Sequence, residues 1–135
     1  MLFRSPQNKF FTIADNLHAI ITALSRSTLF ANNSPVGTIK NELLAAVYTK
    51  RTLDDIAAKL FMSRSNLIRI FKKHTGITPY AFLMQEKLNV AQTLLSSTDI
   101  TVKAISELLC FNDEHYFCFL FKQKTGVTPT QYRNR

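Results

Sequence analysis

The sequence is short of the residues that break chains or perform chemistry. Only three Gly and four Pro occur in 135 residues, whereas low-complexity and disordered chains are rich in both. With 46% hydrophobic and 19% charged residues, the composition is that of a soluble globular protein. The two cysteines, Cys110 and Cys118, stand eight apart. That spacing matches neither a CxxC redox motif nor a zinc finger, and both are read as reduced thiols. His18, His74 and His115 lie far apart, and none sits in an HExxH or a Ser/His/Asp pattern. No catalytic constellation, metal site, nucleotide motif or cofactor is therefore expected, and an enzymatic reading lacks its nucleophile. Long apolar runs are also missing. Ala19 to Leu24 is interrupted by Thr22 and falls far short of the roughly 20 residues that cross a bilayer, so neither a membrane span nor a signal peptide is expected.

Acidic residues are scarce as well. Nine Asp plus Glu face 17 Lys plus Arg, leaving a net charge of +8, an excess that points to a polyanionic partner, nucleic acid or an anionic membrane face. The excess is local: Lys50, Arg51, Lys59, Arg64, Arg69, Lys72 and Lys73 oppose only Asp54 and Asp55 between residues 50 and 73, which marks a candidate contact surface. The length fits one domain, or two very small ones sharing a support, because below roughly 40 residues a unit rarely buries enough apolar surface to fold alone.

Phe10, Ile13, Leu17, Ile20, Ile21 and Leu24 recur at helical spacing and predict an N-terminal amphipathic helix. Ser25 to Pro35 breaks the pattern as a linker. Such a helix either caps the downstream core or is the tail of an upstream sensing or dimerising domain. The division expected is residues 1–37 and 38–135. A second striped helix over Thr38–Val47 carries Ile39, Leu43, Ala46 and Val47. Leu53, Ile56, Ala57 and Leu60 then form the inner face of a two-turn helix. Ser63 is a good N-cap for the next, whose inner stripe is Leu67, Ile70 and Phe71.

This helix pair is written twice. Val102, Ile105, Ser106 and Leu109 repeat the first inner face at an offset of 49, and Asp113, Phe117, Leu120 and Phe121 repeat Ser63, Leu67, Ile70 and Phe71 at an offset of 50. The one-residue difference falls in the turn, as a duplicated structural unit allows. FKKHTGITPYAF at residues 71–82 returns as FKQKTGVTPTQY at 121–132 with six of twelve positions identical. Its parts are punctuation: Gly76 and Gly126 end helices in a left-handed conformation, and Thr-Pro supplies an N-cap followed by Pro at the first helical position. A connecting helix from Pro79 to about residue 96 is expected to carry Tyr80, Met84, Leu88, Ala91 and Leu95 on one stripe.

The predicted fold is all-α, with helix-turn-helix units at about 53–75 and 101–125 on a connecting helix of about 79–96. In such a unit the second helix enters the DNA major groove. A helix of about 17 residues is roughly 25 Å long, which can hold two recognition helices near the roughly 34 Å between successive major-groove windows. Removing the buried stripe leaves Arg64, Ser65, Asn66, Ile68 and Arg69 outward in the first recognition helix. Arg69 can bind guanine in bidentate fashion, Asn66 adenine, and Ile68 a thymine methyl. Lys72 and Lys73 follow directly as phosphate contacts. The second recognition helix turns Glu114, His115, Tyr116, Cys118, Phe119 and Lys122 outward. Asp113 is its expected N-cap, Glu114 can accept from cytosine N4, and Phe119 can touch a thymine methyl or pack against protein. The first copy is expected to supply most of the affinity and the second to adjust specificity. A competing reading is a sequence-independent architectural or protein-docking module.

Together these residues resemble the C-terminal DNA-binding domain of the AraC/XylS family of bacterial transcription regulators, over about residues 38–134. The resemblance rests on Phe111, Asp113, Tyr116-Phe117, Phe121-Lys122, Gly126, Thr128-Pro129 and Tyr132-Arg133, with Ile56-Ala57, Met62-Ser63, Leu67, Arg69 and Phe71-Lys72 in the first copy. It implies seven helices and asymmetric promoter sites on double-stranded DNA. It also implies a cytoplasmic, nucleoid-associated protein that usually activates through RNA polymerase. Base contacts carry over to Ser65, Asn66, Ile68, Arg69, Glu114, His115, Cys118 and Phe119. Arg64 completes the expected base contacts, and Lys72, Lys73, Lys122 and Arg133 are the expected phosphate contacts. Three positions depart from the family pattern. Cys110 stands where Gly is usual, which predicts a strained or differently shaped second turn. Lys87 replaces a frequent Arg, and Phe119 occupies a position often basic or polar. Residues 1–37 are too short for a cupin-like sensor, so the chain is expected to be either a fragment or a stand-alone regulator. An effector ligand is implied only if a sensing domain is missing from it.

Overall fold

The structure, a computed structural model, describes residues 34–135; the helix expected over residues 10–24 lies outside the described residues. Those described form seven helices and no strand: α1 Pro35–Ala45, α2 Leu53–Lys59, α3 Arg64–Thr75, α4 Pro79–Ser97, α5 Val102–Leu108, α6 Glu114–Thr125 and α7 Pro129–Arg133. The expected all-α pair of helix-turn-helix units on a connecting helix is what the chain adopts. α2 and α3 form the first unit, supported by α1. α5 and α6 form the second, closed by α7, which packs on α4.

Local chemistry sets the boundaries. α1 begins at Pro35, three residues before the predicted start, because the Ser34 hydroxyl accepts from Gly37 N–H at 3.2 Å and Pro occupies the first position. Ser63 and Asp113 cap α3 and α6, accepting from Asn66 N–H and His115 N–H at 3.1 Å each. Gly76 and Gly126 end those helices at φ 83° and 85°, where a side chain would be strained by the backbone alone. The threonine before each glycine then ties the junction. Thr75 Oγ1 donates to Phe71 O at 2.8 Å and accepts from Ile77 N–H at 3.3 Å; Thr125 makes the same contacts to Phe121 O at 2.8 Å and Val127 N–H at 3.4 Å.

Both units bury the expected apolar positions. Phe71, Phe117 and Phe121 are almost wholly enclosed, each contributing about 1.5–3 kcal/mol of burial free energy. In the second unit the rings of Phe111, Phe117, Phe121 and Tyr132 stack in sequence at 5.1, 5.9 and 5.4 Å between centroids. Among the described residues, the first unit has one pair, Phe71 on Phe82 at 5.5 Å. The 19-residue α4 is about 28 Å long. Its buried side is broader than the stripe predicted for it: Phe82, Leu83, Val90 and Leu94 are buried alongside Leu88, Ala91 and Leu95, whereas Tyr80 is exposed. A helix that serves two cores must bury more than one face.

The two turns answer the question raised by Cys110. Cys110 sits at φ 59° and its counterpart Phe61 at φ 57°, so both turns place a non-glycine residue in the left-handed region, at roughly 1–2 kcal/mol each. The hydrogen bonds are equivalent. Met62 N–H donates to Ala57 O at 3.0 Å and Phe111 N–H to Ser106 O at 2.9 Å, the six-residue closure of a Schellman motif. The turns share one shape, and the extra residue of the second copy is Asn112, just beyond the closure.

Candidate nucleic-acid interface

α3 presents the readers of the first unit. Ser65 and Arg69 are exposed, Asn66 is half-buried, and Ile68 is partly covered and packed against the core. An Arg69 Nη2 donates to Asn66 Oδ1 one turn back, so amide and guanidinium are held together before any ligand arrives. Arg64 is paired with Asp54 at 3.3 Å, with both side chains more than half exposed, a contact worth little in water. Lys72 and Lys73 stand exposed on the last turn and make no ion pair among the described residues. Arg51 and Lys59 are occupied elsewhere: both hold Glu42 of α1, at 2.8 and 3.0 Å. Burial pushes the Glu42 carboxyl upward, but hydrogen bonds from Arg51 and Lys59 outweigh it and leave it below its ordinary value. The strong local excess of cations is thus divided between fastening α1 to α2 and facing solvent along α3.

α6 has the same mount and a different face. His115 is exposed, Glu114 half-buried, and Phe119 56% exposed at the position equivalent to Arg69. Cys118, like Ile68 at the equivalent position, is partly covered by the core. Burial, followed by the carboxylates of Glu114 and Asp113, pushes its thiol upward, so it remains a neutral, weakly polar S–H group at neutral pH. The acids near the N-terminus of α6 favour the helix dipole and repel phosphate. Lys122 is exposed on the last turn, and Lys124 donates to Asn89 Oδ1 of α4 at 3.0 Å.

Arg133, expected at phosphate, is half-buried. Its guanidinium donates to Leu95 O at 3.3 Å and to Thr98 O at 3.2 Å, satisfying carbonyls at the end of α4 that have no partner within the helix. It fastens α7 to the connecting helix, a structural role in addition to the phosphate contact expected of it. Two further contacts go beyond what the sequence predicts. Tyr80 and Tyr116 share a hydroxyl hydrogen bond at 3.1 Å; this bond, with some burial, pushes the Tyr80 phenol up to about 12. Lys87 is buried, with Nζ donating to Leu109 O at 2.7 Å. The apolar neighbours Met84, Leu88, Val90 and Ala91 were the available signal for a buried position 87. Between the units lies a cleft of about 380 Å³ whose lining includes Arg51, Arg64, Tyr80, Lys87 and Tyr116. Among the described residues, no helix is long and apolar enough to cross a membrane.

Known proteins share both sequence and fold. A family model described as a helix-turn-helix domain matches residues 56–135. An uncharacterized helix-turn-helix transcriptional regulator of Haemophilus influenzae is 37% identical over 81 residues, covering 60% of this chain and 27% of the relative. The xylose operon regulatory protein of Escherichia coli K12 is 33% identical over 96 residues, covering 71% of this chain and 24% of the relative. The chain thus spans about a quarter of the length of these curated relatives. The C-terminal domain of AraT, a response regulator from Geobacillus stearothermophilus, superposes with a TM-score of 0.72 at 31% identity, covering 75% of this chain and 85% of that one. A duplicated helix-turn-helix with these junctions and this likeness has one home: the chain belongs to the AraC/XylS family of transcription regulators and carries its DNA-binding domain.

Proposed function

We propose that the chain regulates transcription by placing α3 and α6 in successive major-groove windows of one promoter site. The observation that supports this best is the outward face of α3, where Asn66 and Arg69 are joined by a hydrogen bond and followed by two exposed lysines. The fork of Arg69 suits guanine O6 and N7, and the amide of Asn66 suits adenine. Ser65 and Arg64 flank them, and Lys72 and Lys73 reach phosphate. The second window is read through His115, Glu114, Cys118 and Phe119, an apolar and acidic surface suited to cytosine N4 and thymine methyl rather than to the backbone. Lys122 supplies its phosphate contact.

In this reading the protein performs no catalysis and works in the bacterial cytoplasm. It activates by contact with RNA polymerase once seated on its site, and any effector control belongs to a separate sensing domain. Selection of duplexes from a random pool, with affinity measured at rising salt, tests the central claim. A regulator keeps a preference of at least roughly 10³ for its selected site; a steep salt slope with no preferred sequence would instead assign the fold to an architectural module. Transcription in vitro from a promoter bearing the selected site, with and without the chain, separates activation from repression.

A further inference from the structure

The second helix-turn-helix is held by more than the connecting helix. Its turn is tied at three points to residues far behind it in the chain. Lys87 Nζ, from the middle of α4, donates to Leu109 O at 2.7 Å. The Cys110 thiol donates to Tyr48 O, beyond the end of α1, at 3.3 Å. Tyr116, on the first turn of α6, meets Tyr80 on the first turn of α4 through their hydroxyls at 3.1 Å. All three converge on residues 109–116, the segment that contains the inserted Asn112 and launches the second recognition helix. One anchor, Tyr48, follows the helix that supports the first unit, and the other two, Tyr80 and Lys87, lie on α4.

Lys87 is the demanding member. It is 4% exposed, and its ammonium is 5.5 Å from the centroid of the Phe111 ring. Burial lowers its pKa. A buried ammonium tolerates little displacement from its few partners, because any retreat leaves a charge without hydration. The end of α5 is thereby pinned to one place along α4.

We propose that Lys87, assisted by Cys110 and Tyr80, is a positioning residue that fixes the spacing and phase of the two recognition helices, so that the chain accepts one half-site spacing and rejects its neighbours. The inference rests on the regulator reading above. Inserting one base pair between half-sites moves the second window by about 3.4 Å and turns it by roughly 34° about the duplex axis. A latched pair of helices cannot follow that movement, whereas an unlatched second unit can rock about α4 and recover its contacts.

The test uses the whole chain, a duplex selected by it from a random pool, and derivatives with one base pair inserted or removed between the two half-sites. The wild-type chain is expected to lose roughly tenfold or more in affinity on either change. In Lys87→Met that penalty should fall to roughly threefold or less, while Lys87→Arg, which keeps a donor, restores it. Tyr80→Phe removes only an exposed hydroxyl and should lower the penalty to an intermediate value, which keeps the test decisive if the buried substitution impairs folding. A merely structural role for Lys87 would weaken all spacings equally and leave their ratio unchanged, and that result overturns the proposal. So does a wild-type chain that binds all three spacings alike. Failure to select any preferred duplex overturns the regulator reading itself and is distinguishable from both.

Discussion

α3 and α6 are superposable in their supports and opposed in their faces. Each starts on a short polar cap, buries a Phe on its last turn, ends on a left-handed glycine and hands over to a Thr-Pro start. Yet Arg69 faces outward where Phe119 does, Ser65 where His115 does, and Arg64 where Glu114 does. Holding a recognition helix and reading with it are therefore separable tasks in this chain. Buried positions answer to packing, which keeps one apolar register in both copies even where Phe117 replaces Leu67; outward positions answer to whatever lies in the groove, which differs. The electrostatic contrast follows from the same split, since α3 has no acid on its first turn and α6 has Glu114 there.

That comparison is tested most severely through the supports. Phe71→Ala and Phe121→Ala should each cost about 3–5 kcal/mol in denaturant unfolding; a large inequality between them would mean that the two mounts are not equivalent. Arg69→Ala should cost roughly 1–3 kcal/mol of binding and relax preference at one base. Phe119→Ala, at the equivalent position, should alter preference in the second window without changing the salt slope. If Phe119→Ala mainly lowers the melting temperature, Phe119 belongs to the packing instead. Lys72→Ala and Lys73→Ala should each reduce the salt slope by about one, a change that no substitution at Phe119 should reproduce. The turns offer the finest contrast. Phe61 is 97% exposed at φ 57°, so Phe61→Gly should raise stability by up to about 1 kcal/mol in thermal unfolding, strain relief exceeding the entropy of glycine. Cys110→Gly should gain less, because it also loses the thiol bond to Tyr48 O. At the low end, Glu42→Gln should flatten the acid limb of a stability-against-pH curve. The folded carboxyl lies below its unfolded value, so the Arg51 and Lys59 contacts stabilise fully above the unfolded pKa. That stabilisation, roughly 1 kcal/mol or less, is lost as pH falls through the folded value.

The helices, their caps and the duplication were legible because each depends on residues three or four apart. Helix α1 was legible in principle too. Ser34-Pro35 carries the same cap-and-proline signal as Thr78-Pro79, although the Ser, Asn and Pro of residues 25–35 read as a linker. A single-stripe rule puts position 80 inward, and such a rule cannot apply to a helix buried on two sides. The remaining surprises join distant residues: Arg133 to Leu95 and Thr98, Lys87 to Leu109, Tyr80 to Tyr116, and Cys110 to Tyr48. No periodicity encodes such pairs, since only the folded path of the backbone decides which carbonyl a cation meets. For the same reason the outward set on α3 could be written from spacing, whereas the partial cover over Ile68 and Cys118 required their neighbours.

The threonine junctions described for the fold have a practical corollary. Thr75 and Thr125 close each helix end with one hydroxyl and no help from the outward residues ahead of them. The six positions 64–69, or 114–119, can thus be rewritten as a cassette if the buried Leu67 is kept in the first, and the buried Phe117 and the Tyr116 that meets Tyr80 in the second. A library diversified there should retain foldable members at high frequency, so new DNA preferences can be sought one window at a time.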